Sequence, residues 1–361
     1  MLKHDCPMKQ LGYFLLINLF SLTLNAQIKK EIFDFEFEGF VLNGILNQPE
    51  QQAAKGLVLI VQGSGATNAV AREMYYDVRS ELVNAGYATY IWDKMGCGQS
   101  EGTFDINQPV ANSAQEVIAA IKSLQAKKVP GADKIGLWGV SRAGWINPLV
   151  IQEYKDIKFW ISVSGVDAKE NFGYLLRENL TIQGMPQDSV ELIVMEWKMG
   201  NALAHAGADF QMAVAATTNL SKNAFLQRFN NGSTPTEEGY YDFQKTFRLQ
   251  AFDYESSLPI YIENFEAILS NVTCPVLAIF GEKDKNVDWK KTSALYQSTI
   301  APHGDLSIRT FPDGNHNLYQ CKTGGFYEMQ DEDLPWVRSE GFLKSMSEWL
   351  LEKEALIHQD R

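Results

Sequence analysis

Apolar runs that alternate with segments of helical periodicity constrain the fold of this chain more than any other feature of its sequence. The runs GLVLIV (56–61), YATYIW (87–92) and CPVLAIF (274–280) are almost continuously apolar, as expected for strands buried on both faces of a parallel sheet. Segments of helical spacing such as residues 113–127 separate the runs, which favours right-handed βαβ units. The sequence therefore predicts an α/β fold with a mostly parallel central sheet and helices on both faces.

The alternation of strands and helices stops after residue 165 and resumes near residue 274. The residues between have helical spacing, including one helix predicted through Trp197 and a second over 209–229, with no clear buried strand. We predict that they form a helical cap inserted after the sixth strand, and that most of the cap's aromatic residues form its own core. The predicted domain bounds are 27–165 for the first part of the core, 166–270 for the cap and 271–361 for the second part of the core.

Residues 1–26 have the organisation of a signal peptide. Lys3 and Lys9 precede an uncharged apolar run, LGYFLLINLFSLTL (11–24), and Ala26 is the small residue that a signal peptidase needs. The run is too short to span a bilayer comfortably, although an uncleaved anchor is the alternative. We expect a secreted or periplasmic protein with no stable membrane span once the leader is removed.

The acidic balance and the few cysteines exclude several functional classes. The formal net charge is −12, which argues against a nucleic-acid partner because phosphate binding needs clustered Lys and Arg. The cysteines are Cys6, Cys97, Cys274 and Cys321. No two have zinc-ligand spacing, so we predict no metal and interpret them as small core residues, with a Cys274–Cys321 bridge as the alternative.

No cofactor is predicted either. The stretch Gly96-Cys97-Gly98 superficially resembles a dinucleotide-binding loop. It is not followed at once by an apolar helix, and no well-placed carboxylate is available for a ribose. Nothing in the sequence indicates an oligomeric state.

The segment KIGLWGVSRAGW (134–145) runs from a buried strand through a tight turn into an apolar helix. A serine at the turn, here Ser141, has its hydroxyl lifted clear of the sheet edge. The flanking positions must be small because strand and helix approach closely there, and Gly139 and Ala143 meet this demand. The pattern predicts that Ser141 is a nucleophile, the alternative being a serine that caps an ordinary helix.

A serine hydroxyl becomes a nucleophile only beside a base that a carboxylate orients. Two later predicted strands end suitably, since 276–280 runs into Asp284 and 306–311 runs into His316. Because the carboxyl ends of parallel strands meet at one edge of a sheet, we predict a catalytic triad of Ser141, Asp284 and His316.

Other acidic residues and histidines are weaker candidates for the triad. Asp288 is better placed to cap the following helix, and Asp313 is explained more simply as a turn residue. The remaining histidines, none of which follows a strand end directly, are His4, His205, His303 and His358.

A tetrahedral oxyanion needs two preorganised N–H donors. One should be the backbone N–H of Arg142, which follows the proposed nucleophile. The turn QGSG (62–65) after the first buried strand should supply the other, and we choose the N–H of Ser64, with Gly65 as the alternative. The alternative is that residues 62–65 form an ordinary glycine turn with no catalytic role.

These motifs together resemble the α/β-hydrolase-fold serine hydrolases over residues 30–355. DKMGCGQSEG (93–102) resembles the D-x-x-G-x-G-x-S-x-G loop after the family's fourth strand. SRAGW (141–145) resembles the S-x-G-G-W of secreted esterases and of prolyl-oligopeptidase-like or serine-aminopeptidase-like members. GEKDKNV (281–287) resembles their acid-bearing G-x-x-D-x-x-V.

Two residues depart from the family pattern without removing a catalytic group. Ala143 replaces the usual second glycine of the turn, and Gln62 stands where many members have histidine. The resemblance implies an α/β-hydrolase fold and a serine hydrolase. We predict that the enzyme cleaves small to medium carboxylic esters through an acyl-enzyme on Ser141, so that its partner is a small-molecule acyl ester.

Two other functions are compatible with the sequence. A serine exopeptidase of the aminopeptidase type would need a cap carboxylate that faces the substrate amine, and Glu191, Glu196 and Glu263 are available. A catalytically silent binding module is the third possibility, which the intact set of Ser, Asp and His disfavours.

Overall fold

The computed structural model describes residues 27–169 and 172–357, so the predicted signal peptide lies outside the described residues. Eight strands form one sheet in the order β1-β4-β6-β5-β7-β8-β11-β12. The strands, in chain order, are β1 (Ile28–Ile32), β2 (Phe35–Phe37), β3 (Phe40–Leu42), β4 (Gly44–Pro49), β5 (Leu57–Val61), β6 (Ala88–Trp92), β7 (Ile135–Val140), β8 (Phe159–Val163), β9 (Ala251–Asp253), β10 (Leu258–Ile260), β11 (Val276–Gly281) and β12 (Leu306–Phe311).

The sheet is mostly parallel, as predicted. Strands β1 and β4 are antiparallel to their neighbours, and all pairings from β6 through to β12 are parallel. Every residue of β5, β6, β7, β8 and β11 is buried. Burial on both faces explains why these strands are continuous apolar runs in the sequence.

Helices cover both faces of the sheet. Successive residues of β5 alternate between two apolar clusters, since Leu57 and Leu59 belong to one cluster and Val58 and Ile60 belong to the other. The helices are α1 (Tyr76–Asn84), α2 (Val110–Ala126), α3 (Ala143–Glu153), α4 (Phe172–Ile182), α5 (Gln187–Ala206), α6 (Phe210–Ala216), α7 (Thr218–Lys222), α8 (Ala224–Phe229), α9 (Glu237–Phe247), α10 (Phe265–Ser270), α11 (Trp289–Thr299), α12 (Glu328–Asp331), α13 (Phe342–Glu352) and α14 (Glu354–Ile357). Residues of α2 and α3 lie in the first cluster, and residues of α1 and α13 lie in the second.

Helices α4 to α9 lie between β8 and β11, which are the sixth and seventh strands of the large sheet in chain order. This inserted segment has an apolar cluster of its own, to which Leu176, Val190 and Phe225 belong. Phe225 also contacts Tyr327 of the loop after β12, with ring centroids 5.4 Å apart. That the segment caps a binding site stays a prediction.

The inserted segment differs from the prediction in two places. The single helix expected over 209–229 is divided into α6, α7 and α8. The side chain of Asn223 accepts the N–H of Leu226 and begins a new helix, because such a cap competes with continuation of the preceding one. The antiparallel pair β9–β10 was not expected; its strands have three residues each and are largely half-buried, so they leave no apolar run.

The alternative of a Cys274–Cys321 disulfide is not supported, since neither residue is in a disulfide. Cys274 precedes the amino end of β11, whereas Cys321 follows β12 and hydrogen-bonds through its backbone N–H to the carbonyl of Asp313. The two residues therefore lie towards opposite edges of the sheet, too far apart for a bridge. In the part of the chain that the structure describes, no helix combines the length and apolarity needed to cross a membrane.

Candidate active site

Ser141 occupies the turn between β7 and α3. Its φ of 56° is in the left-handed region, which is unfavourable for a residue with a side chain and is held only where the surroundings impose it. The surroundings are visible in the backbone: the Ser141 N–H donates to the carbonyl of Val163 (3.0 Å), and the Ser141 carbonyl accepts from the N–H of Gly144 (2.7 Å). The half-buried serine is thus held at the carboxyl end of the sheet.

The close approach of β7 and α3 explains the small residues on both sides of Ser141. A Cβ added at Gly139 would lie 2.6 Å from the Cβ of Ala143 and 2.4 Å from Nδ2 of Asn147. Both separations are well inside van der Waals contact. Ala143 itself is completely buried. Alanine therefore fits the position where the family pattern has glycine.

Asp284 and His316 are joined by a hydrogen bond of 2.7 Å between Oδ2 and Nδ1. The Asp284 carboxylate is buried, and its other oxygen accepts the N–H groups of Asn286 (2.8 Å) and Val287 (3.0 Å). An ionised carboxylate only accepts hydrogen bonds, so Nδ1 of His316 carries a proton, and in the neutral imidazole Nε2 is the nitrogen with the free lone pair. This tautomer is the one that a general base for serine needs.

The backbone at the ends of β11 and β12 holds the histidine in place. The N–H of Lys283 donates to the carbonyl of Gly314 (3.0 Å). The side chain of Asn315 accepts the N–H groups of Asn317 (2.9 Å) and Tyr319 (3.1 Å). The acid and the base therefore stand on two adjacent strand ends that are tied to each other.

Gly281, the last residue of β11, is in contact with the histidine loop. A Cβ at this position would lie 2.4 Å from the carbonyl oxygens of both Gly314 and Asn315. A backbone oxygen cannot shift without the rest of its peptide group, so the whole loop would have to move. We expect Gly281→Ala to separate the two strand ends and to lower the free energy of unfolding by about 1–3 kcal/mol, as overpacking does. The measurement is urea denaturation, together with hydrolytic turnover per folded molecule.

Gly325→Ala is the matched control for this change. The nearest atom to a Cβ there is Oγ1 of Thr323 at 3.4 Å, which is ordinary contact. Its unfolding midpoint should stay close to that of the unaltered chain. Equal stability of the two variants would show that the close approach of Gly281 to the histidine loop does not restrict which side chains position 281 can hold.

The three predicted triad residues share one edge of the sheet. The structure brings Asp284 and His316 into contact and places Ser141 directly after β7, which is separated from β11 by β8 alone. Among the described residues, the Ser141 hydroxyl makes no hydrogen bond, with His316 or with any other group. The assignment of all three residues to one triad is therefore argued below as a proposal.

The turn 62–65 lies against Ser141. A Cβ on Gly63 would lie 3.2 Å from the Cβ of Ser141 and 3.3 Å from the carbonyl oxygen of Val140. Within residues 27–169 and 172–357, the backbone N–H groups of Ser64 and Arg142 have no hydrogen-bond partner. Neither N–H is committed to another group in these residues, and their role as oxyanion donors stays a prediction.

Gln62, which departs from the family pattern, has a structural role in this chain. Its side chain is 4% exposed and its Nε2 donates to the carbonyl of Trp92. The amide thus points into the protein. It ties the turn to the end of β6.

Two of the weaker candidates, Asp288 and His205, have other roles, whereas His4 and His358 lie outside the described residues. Asp288 caps α11 by accepting the N–H of Lys291 (3.2 Å), as expected from the sequence. His205 is bonded to the hydroxyl of Tyr254 (2.8 Å) and stacks on Phe252. Among the described residues, no group of three or more His, Cys, Asp or Glu side chains is placed to hold a metal ion.

Two residues of α4 that the sequence did not single out hold the acid loop. The Tyr174 hydroxyl donates to the carbonyl of Asp284 (3.1 Å), and burial raises the pKa of that phenol. The buried Asn179 donates to the carbonyl of Lys285 (3.1 Å) and accepts the N–H of Phe326 (2.6 Å). Their partners are backbone groups far away in the sequence, so no local sequence pattern predicts the roles of Tyr174 and Asn179.

Comparisons with known proteins agree with this architecture. A family model described as X-Pro dipeptidyl-peptidase (S15 family) matches residues 39–316. A search of curated proteins gives no match.

Among solved structures, the chain is similar to the Pyrococcus furiosus esterase Pf2001, with 14% identity, a TM-score of 0.53 and coverage of 96% of each chain. It is also similar to Est1E from Butyrivibrio proteoclasticus, solved with ferulic acid bound, with 18% identity, a TM-score of 0.50 and coverage of 90% of this chain and 99% of that one. At these identities the likeness concerns the fold, which is the α/β-hydrolase fold.

Proposed function

Since the chain belongs to the X-Pro dipeptidyl-peptidase (S15) family and has the fold of an α/β-hydrolase serine hydrolase, we propose that Ser141, His316 and Asp284 are its catalytic triad. We propose further that its substrates are carboxylic esters of small to medium size. The observation that carries the proposal is the 2.7 Å hydrogen bond between His316 Nδ1 and the buried Asp284. It leaves Nε2 basic at the sheet edge where Ser141 is held in a strained turn.

The reaction follows from this arrangement in balanced steps. His316 Nε2 takes the Ser141 proton as Oγ attacks the acyl carbonyl, and the N–H groups of Ser64 and Arg142 stabilise the resulting oxyanion. Collapse of the tetrahedral intermediate expels the alcohol, which takes the proton from His316. Water, deprotonated by the same nitrogen, then attacks the acyl-enzyme. Collapse of the second tetrahedral intermediate releases the acid, and Ser141 Oγ takes the proton back from His316.

The positions of the acidic residues favour esters over peptides. An exopeptidase needs a carboxylate for the substrate amine, but Glu191 is paired with Arg177 (2.8 Å). Glu196 is buried and accepts from the Asn219 side chain (2.6 Å) as well as from a backbone N–H. Glu263 is exposed. None of the three is a buried, uncommitted carboxylate.

A serine exopeptidase is the second candidate, and the family match to X-Pro dipeptidyl-peptidases favours it. The reaction would use the same three residues, with an amine as leaving group in place of an alcohol. The family membership also disfavours a catalytically silent binding module.

A substrate series distinguishes the two activities. We expect turnover of p-nitrophenyl esters with short and medium acyl chains, and little turnover of Ala-Pro-p-nitroanilide. Because anilides are intrinsically less reactive, the deciding comparison is between Ala-Pro-p-nitroanilide and its N-acetylated form. Strong preference for the free amine would contradict the ester proposal, since it reveals an amine-binding site; rapid labelling by a fluorophosphonate is expected in either case.

A further inference from the structure

Three charged side chains, Lys94, Glu116 and Arg142, form a cluster behind the turn 62–65; we call it the charged cluster. The three surround a cavity of about 30 Å³. Glu116 is 5% exposed, and burial raises the pKa of its carboxyl. Its Oε1 accepts the indole N–H of Trp92 (2.5 Å). Burying a charged group costs free energy unless the group is hydrogen-bonded. The hydrogen-bond partners of each member therefore show which parts of the protein the cluster fixes in place.

Arg142 points its guanidinium away from the nucleophile that precedes it. The guanidinium donates to Oγ of Ser113 (3.0 Å) and to the carbonyl of Gln108 (2.5 Å). Both partners belong to the start of α2 and the loop before it. The Arg142 side chain therefore anchors the residue whose backbone N–H is a proposed oxyanion donor.

Lys94 has its partners in the turn itself. Its Nζ donates to the carbonyl oxygens of Gly63 (2.5 Å) and Gly65 (2.8 Å). Two of the three ammonium donors are therefore used on residues of a single turn. Lys94 is at one of the variable positions of the DKMGCGQSEG motif, so the resemblance to a family gave it no role.

The orientation of the Ser64 N–H follows from these contacts. In a trans peptide the C=O and the N–H point in opposite directions, and the carbonyl of Gly63 shares its peptide group with the N–H of Ser64. Because that carbonyl points at Lys94, the N–H points away from the charged cluster. Gly63 is packed against Ser141, so an N–H fixed in this way is held beside the nucleophile.

We infer that Lys94 is a positioning residue for the oxyanion hole, which clamps the carbonyls of Gly63 and Gly65 and so keeps the Ser64 N–H aimed at the reacting oxygen. The inference rests on the proposed function of Ser141. It assigns a role in the transition state to a side chain that does not touch the substrate.

The charge of Lys94 changes within the accessible pH range. Burial lowers the pKa of its ammonium to about 8, and the neighbouring Arg142 acts in the same direction, whereas Glu116 and Cys97 oppose the shift. As the pH rises through this value the ammonium becomes a neutral amine, which is a weaker donor to two carbonyls. The clamp is therefore complete only well below pH 8, is half lost near pH 8 and weakens further above it, so kcat should fall over that range.

Lys94→Met tests the clamp because it keeps the length of the side chain and removes the donors. We expect kcat for p-nitrophenyl esters to fall by about 30–300-fold with KM changed by less than ~3-fold. The loss is smaller than the roughly 10²–10³ in kcat that removal of an oxyanion donor costs, because the Ser64 N–H is kept and only its orientation is lost. Lys353→Met is the matched control. It removes an ion pair with Asp305 (2.7 Å) near the amino end of β12, at the opposite edge of the sheet, and should leave kcat unchanged.

The pH profile separates positioning from a merely structural role. In the unaltered protein kcat should decline between pH 8 and 10, and in Lys94→Met the lower kcat should be level over that range. A folded Lys94→Met variant with unaltered kcat overturns the inference. If the variant does not fold, a level profile of the unaltered protein overturns it instead. Absence of ester turnover and fluorophosphonate labelling in the unaltered protein is a different result, because it removes the proposed function first and this inference with it.

Discussion

Ser141→Ala should reduce ester turnover by about 10⁴–10⁶-fold, as loss of a triad nucleophile does, and should abolish fluorophosphonate labelling. Stability should change by less than ~0.5 kcal/mol, because the half-buried hydroxyl has no hydrogen-bond partner among the described residues that the change would orphan. Alanine adopts the φ of 56° no less readily than serine. Burst kinetics with p-nitrophenyl acetate, normalised to folded protein, measure the effect.

Ser164→Ala is the matched control for Ser141→Ala. Ser164 directly follows the neighbouring strand β8, also has a left-handed φ (46°), and is completely buried, with a hydroxyl that has no partner among the described residues. Its loss should leave turnover within ~3-fold of the unaltered protein, since the hydroxyl makes no hydrogen bond that the change would remove. Full activity in Ser141→Ala combined with inactivity in Ser164→Ala would show that the nucleophile is on the wrong strand end.

The sequence located the strands most accurately where both faces of the sheet are covered by helices. Strands covered on both faces must be apolar at every position, which is why β5, β6 and β11 could be located within one or two residues. The position of Ser141 could be predicted for a related reason. The contact between β7 and α3 excludes side chains at Gly139, and that exclusion leaves a visible pattern of small residues.

The supporting residues could not be predicted because their partners are backbone carbonyls far away in the chain. Lys94 bonds to a residue 31 positions earlier, and Tyr174 bonds to one 110 positions later. Every residue type has the same backbone carbonyl, so the amino-acid type of the partner does not indicate that a hydrogen bond forms there. The break between α7 and α8 depends in a similar way on a single side chain, that of Asn223, because asparagine favours turns as well as helix caps.

Asp284→Asn should lower kcat by about 10³–10⁴-fold with little change in KM, because the change imposes the wrong histidine tautomer. Oδ1 of Asp284 accepts the N–H groups of Asn286 and Val287, so the amide oxygen of an asparagine must take that position. Its NH₂ group is then directed at Nδ1 of His316. Nδ1 becomes the acceptor, the proton moves to Nε2, and Nε2 is no longer able to take the proton of Ser141.

Asp288→Asn provides the control for this experiment. The Asp288 side chain caps α11, and asparagine is as good a cap as aspartate, so both stability and turnover should be retained. The chemical shift of the Nδ1 proton reports the tautomer directly: a strongly downfield signal is expected in the unaltered protein and in Asp288→Asn, and no such signal in Asp284→Asn. If Asp288→Asn lost turnover and Asp284→Asn kept it, the orienting carboxylate would be Asp288 instead of Asp284. The buried hydrogen bond between Asp284 and His316 would then have no catalytic role.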